Sequence, residues 1–200
     1  MIEIKDNHFI AEGVYQKCYI HPENKSLCIK ISKQELSTSR LLYEINYFKK
    51  ISKKNWKKFD YPFFTKYHGQ VDTNLGTGFI YDYITDEATG EISKTMEYYL
   101  LNPDPKITND MLRNAFEHLK RLMIKHRIIA SDIRSKNICC KILKDQSIQM
   151  IIVDGVGHRD FIPIVDWSSY FAKKKIERRL IKHDLHDLEA QREYLKSLEE

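Results

Sequence analysis

From Thr108 onward, Met111, Leu112, Ala115, Phe116, Leu119, Leu122 and Met123 form one unbroken stripe, and nothing else limits the possible folds as strongly. Apolar residues at three- and four-residue spacing share one helix face, which must be buried against another layer. Thr108 and Asn109 stand where an N-cap is needed. A stripe this continuous is core, not a cofactor box. The first thirty residues have a different period. The segments "HFIAEGVYQKCYIHP" and "SLCIKIS" alternate or run apolar and are broken by Gly13 and a Pro-Glu-Asn-Lys turn. "FFTKYHGQVDT" and "TGFIYDYIT" read as two more strands around an Asn-Leu-Gly turn. Between these pairs, Leu41, Leu42, Ile45, Phe48 and Ile51 predict one helix over about 35–52. Past the long helix, "RIIA", "NICCKIL" and "IQMIIVDG" predict short strands, with "KDQS" turning between the last two, and a final helical region fits about 166–198. The expected class is α+β. One domain over 1–200 would divide into a β-rich lobe with one helix (1–83), a hinge (84–94) and a mainly helical lobe (95–200), with a ligand cleft between them.

Composition narrows the function. A chain that is 42% hydrophobic and 30% charged is a soluble globular protein. No apolar run approaches the roughly 20 residues of a membrane span, and "MIEIKDNHFIAEG" is not a signal peptide. A cytoplasmic protein without membrane partners is expected. The net charge of +5 does not announce nucleic acid binding, and the basic runs at 49–58 and 173–182 read first as solvated helix faces. Cys18, Cys28, Cys139 and Cys140 lack metal-ligand spacing and sit in apolar runs, so they read as small buried hydrophobes.

Chemistry concentrates in "IIASDIRSKNICC", where Asp132, Arg134 and Asn137 lie between two apolar patches. Asp154 ends a later strand and precedes Gly155. If those strands pair, the hairpin carries Asp132, Asn137 and Asp154 to one end. Two carboxylates and an amide oxygen suit a hard cation such as Mg²⁺. Taken singly, each of these residues is an ordinary turn former. Upstream, Lys30 interrupts the apolar run "LCIKIS", where an unpaired charge is costly. Glu44 falls beside the apolar stripe of the first predicted helix.

Asp132-x-x-x-x-Asn137 followed by Asp154-Gly155, with Lys30 and Glu44 ahead of them, resembles the core of the protein-kinase-like fold. The resemblance implies a minimal two-lobed kinase-like domain with a truncated helical lobe, binding ATP and Mg²⁺ between its lobes. It assigns Asp132 to orient or deprotonate the accepting hydroxyl, and Arg134 to stabilise the transferring phosphoryl group. Lys30, paired with Glu44, would position the α- and β-phosphates. Asn137 and Asp154 would hold the metal. Gly13 is the one glycine of the phosphate-covering loop present, with Ala11 and Gln16 at the other two positions. Ala130-Ser131 replaces the family's His-Arg, "DGVG" lacks the Phe of Asp-Phe-Gly, and "HRD" at 158–160 is a decoy because Val165 follows it where asparagine is required. "ASDIRSKNI", "VDGVG" and the length are similar to the YrbL family of PhoP regulatory network proteins, for which the resemblance implies a fold and a nucleotide site but no defined reaction. An acceptor, small molecule or protein, is expected of an active enzyme. A pseudokinase acting as a regulatory binding module is the alternative.

Overall fold

The computed structural model describes residues 1–33, 42, 44–49, 63–157, 168–182 and 187–198. The "HRD" at 158–160 and most of the 49–58 basic run lie outside these residues. The fold is α+β. The described residues up to 49, together with Thr65–Thr85, form one compact unit; residues 63–64 and those from 86 onward form a second.

The first unit is a five-stranded antiparallel sheet of β1 (Phe9–Glu12), β2 (Gln16–Ile20), β3 (Leu27–Ser32), β4 (Tyr67–Thr73) and β5 (Gly76–Asp82), ordered β1-β2-β3-β5-β4. β3 is central and buried on both faces, which is why its sequence runs apolar rather than alternating. Ile29 and Ile31 pack with Ile4 and Tyr19 on one face. Lys30 points to the other, opposite Cys18 on β2 and Phe79 on β5. Of the helix expected over 35–52, residues 42 and 44–49 are described and helical (α1, 44–49). Ile45 and Phe48 of its stripe are buried, while Leu42 is exposed.

The second unit contains α2 (Met96–Leu101), α3 (Asn109–His126), a hairpin of β6 (Ile138–Ile142) and β7 (Ile148–Ile152), α4 (Ser169–Lys182) and α5 (Leu188–Ser197). α3 buries Leu112, Ala115, Phe116, Leu119, Leu122 and Met123, as its period requires; Met111 is only half-buried. The Thr108 side chain accepts a hydrogen bond from the Met111 N–H at 3.2 Å. Thr108→Ala is expected to cost about 1 kcal/mol in a urea titration, because one amide of the first turn loses its partner.

Three expected element limits change. "RIIA" is not a strand: Arg127 closes α3 in the left-handed region at φ 55°, and only Ala130 forms a β-bridge, to Val156. Phe63 and Phe64 do not start β4; the Ile152 N–H donates to the Phe63 carbonyl at 3.0 Å, and the Phe63 ring stacks on His126. The final helical region holds two helices among its described residues, α4 and α5. α2 lies in the segment expected to be mainly helical but was not singled out as a helix. From Asp86 the expected hinge runs along β6, where the Asp86 carboxylate accepts from Ser93 Oγ and the Ile142 N–H, and the Cys140 N–H donates to the Lys94 carbonyl.

Cys28, Cys139 and Cys140 are buried and Cys18 is half-buried, all within strands. Burial pushes the Cys140 thiol well above its ordinary pKa, leaving it inert as a nucleophile. In the basic run of α4, Lys173, Lys174, Arg178 and Lys182 are solvated, but Lys175 is buried and Arg179 turns inward. No helix among the described residues is long and apolar enough to cross a membrane.

Candidate functional site

The polar residues of 131–137 are held out from a loop whose other side chains are anchors. Ile128, Ile129, Ala130 and Ile133 are all but fully buried, so the chain cannot rotate without exposing them. Main-chain bonds fix the loop against the turn after β7. The Ser131 N–H donates to the Gly155 carbonyl at 2.7 Å, its hydroxyl reaches the same oxygen at 3.1 Å, and the Gly157 N–H donates to the Ile129 carbonyl at 2.7 Å. Ala130 and Ser131, the departures from the kinase pattern, therefore have structural work: the small one packs and the hydroxyl ties the loop to the turn.

The β6–β7 hairpin sets the second contact. Ile138 pairs with Ile152, and the Val153 N–H donates to the Asn137 carbonyl at 2.9 Å. Asn137 and Asp154 thus stand at the same end of the hairpin. Asn137 Nδ2 donates to the Asp132 carbonyl at 2.9 Å, which ties the 3₁₀ turn at Ser135–Asn137 back to Asp132 and leaves Oδ1 as the oxygen of that amide able to meet a cation. The Asp154 carboxylate accepts from the Gly155 N–H at 3.0 Å.

Gly155 makes the close approach possible. At φ +73° it occupies the left-handed region, and a Cβ there would lie 2.8 Å from Asp132 Cβ and 3.0 Å from its carbonyl oxygen. The Asp132 carboxylate forms an ion pair with Arg134. That carboxylate, with Asp154 and Glu97 nearby, pushes the Arg134 guanidinium above its ordinary pKa. Sequence reading missed Glu97, which sits in the first turn of α2 and accepts from Ser135 Oγ at 3.2 Å. The Thr95 cap, whose side chain accepts from the Tyr98 N–H, was the one signal that could have placed it.

Lys30, Glu44 and Gly13 belong to the first unit. Lys30 is buried, with Nζ 4.6 Å from the centroid of the Tyr81 ring, a cation–π contact that offsets part of the cost of burial. The same ring meets Phe48 of α1 at 6.2 Å. Glu44, also buried, lies one helical turn before Phe48 and on the same side. Lys30 and Phe48 therefore meet the same Tyr81 ring, and Glu44 stands one helical turn from Phe48. Gly13 lies between β1 and β2, its N–H donating to the Gln16 carbonyl at 2.8 Å. A Cβ there would meet only that carbonyl, at 3.7 Å, so the hairpin itself does not demand glycine.

Among the described residues no group of three or more His, Cys, Asp or Glu side chains could hold a metal. Asn137 and Asp154 supply two hard oxygen donors, a set that suits Mg²⁺ when phosphates and water complete the shell.

Comparison with known proteins places this arrangement in a family. Two proteins called "Uncharacterized protein YrbL", from Escherichia coli and Shigella flexneri, are each 28% identical to the chain over 182 residues, covering 89% of it and 84% of their own length. The family described as PhoP regulatory network protein YrbL matches residues 2–183, and the chain belongs to that family.

Proposed function

We propose that the chain is an atypical kinase-like phosphotransferase that uses ATP with Mg²⁺ on an acceptor hydroxyl. The observation that carries this reading is the brace of main-chain bonds between residues 129–131 and 155–157. It keeps Asp132, Asn137 and Asp154 at one hairpin end, where isolated turn formers would need no such support. In this reading Asn137 and Asp154 hold Mg²⁺, which neutralises charge on the nucleotide phosphates. Asp132 orients the acceptor hydroxyl and Arg134 meets the transferring phosphoryl group. Lys30, paired with Glu44, binds the α- and β-phosphates, and Gly13 lets the β1–β2 backbone approach them. The acceptor is a small molecule or a protein side chain.

The ion pair of Arg134 with Asp132 favours a second reading, a pseudokinase acting as a regulatory binding module with or without nucleotide, because it engages the carboxylate that transfer requires.

Thermal denaturation with Mg²⁺ and ATP tests both readings. At about 100-fold over Kd, a ligand adds about 2.7 kcal/mol, which raises the Tm of a protein of this size by roughly 5–10 °C. Asp154→Ala is expected to abolish the shift. A wild-type Tm unmoved by Mg²⁺–ATP would sink the phosphotransferase reading and leave a nucleotide-free regulatory module.

A further inference from the structure

We propose that Arg179 is the positioning residue of the Asp132 loop. Its guanidinium, projecting from α4, donates to the Ser131 carbonyl. Ser131 is the residue immediately before Asp132, and its own N–H and hydroxyl both engage the Gly155 carbonyl. One residue therefore links three pieces of chain: α4, the Asp132 loop and the turn after Asp154. A charged donor on a carbonyl is stronger than a neutral one. The post that carries it is rigid. Ala172, Ile176 and Leu180 of α4 are buried almost completely, so the rotation of the helix about its axis is fixed by packing. Arg179 is therefore held by its own helix and adds a fixed donor to the bonds that position the loop.

The residue immediately before Asp132 is Ser131 rather than arginine, and the structure brings an arginine to it from 48 residues away. Its consequence for catalysis rests on the phosphotransferase reading. Misplacing Asp132 by about 1 Å should lower turnover about 10²-fold while leaving nucleotide affinity to Lys30, Asn137 and Asp154.

Hydrogen exchange of the full chain, resolved by residue, tests the positioning role without any activity. In Arg179→Ala the Ser131 and Gly157 amides are expected to exchange at least about tenfold faster, a local opening rather than a global one. The Cys140 and Ile152 amides, bonded elsewhere in the same unit, are expected to keep their wild-type rates. Arg179→Lys, which retains one charged donor, is expected to restore part of the protection. Unchanged Ser131 and Gly157 rates overturn the proposal, and so does a uniform loss across the unit, which would make Arg179 a general stability residue. ATP turnover with Mg²⁺ adds the second arm: Arg179→Ala should lower kcat with little change in KM for ATP. If the wild type neither binds nor turns over ATP, the phosphotransferase reading fails while the exchange rates still decide the role of Arg179.

Discussion

Asp132→Asn is expected to retain the Mg²⁺–ATP thermal shift of the wild type and to lose about 10²- to 10⁴-fold in phosphoryl transfer, the range a positioned acid or base supplies. The variant is informative because the fold hardly depends on the carboxylate. The bonds that hold the loop here use the Asp132 carbonyl and the N–H, hydroxyl and carbonyl of Ser131, none of which the substitution alters. Its ion pair with Arg134 is substantially exposed on both sides, with side-chain exposures of 39% and 45%, and such pairs are worth about 0–1 kcal/mol. Transfer at the wild-type rate in Asp132→Asn would remove Asp132 from its role. A thermal shift in the wild type with no transfer by either protein would instead select the regulatory module.

Gly155→Ala is expected to cost roughly 2–5 kcal/mol in urea denaturation, combining a left-handed backbone with overpacking. The φ of +73° disfavours any Cβ, and this Cβ would press on the side chain, Cα and carbonyl of Asp132 at 2.8–3.2 Å. The loop cannot retreat without breaking the bond from the Ser131 N–H to the Gly155 carbonyl. Gly90→Ala is the matched control: its φ is +70°, but nothing lies within 4 Å of the added methyl, so it carries the backbone cost alone. Equal losses in the two variants would show that the crowding against Asp132 is relieved at no cost.

The two substitutions act on parts of the chain that were unequally readable. α3 was plain because 18 residues give five turns in which a stripe can declare itself, and the Thr108 cap marks its start. β3 was plain for a similar reason, since its run "LCIKIS" is apolar on both faces and Lys30 stands out against it. α2 has six residues, fewer than two turns, so its period never repeats often enough to be seen. "RIIA" has the composition of a strand, yet tertiary burial of Ile128 and Ile129 accounts for it without a ladder. Phe63 and Phe64 read as strand residues, but their partners, His126 and Ile152, lie some sixty and ninety positions further along the chain.

The candidate site divides along the same line. The sequence by itself determined which groups are available: Asp132, Arg134, Asn137 and Asp154 flanking two strands, and Lys30 in a buried run. Their residue types and short spacings are local properties. Only the tertiary structure decided what holds them. The β6–β7 register puts Asn137 beside Asp154, the contact of Gly155 with Asp132 needs two segments 23 residues apart to meet, and Glu97 and Arg179 arrive from helices on either side of the loop in sequence. Such bonds form between main-chain atoms and distant side chains, and a carbonyl of Ser131 or Gly155 carries no mark in the sequence of the partner it will take.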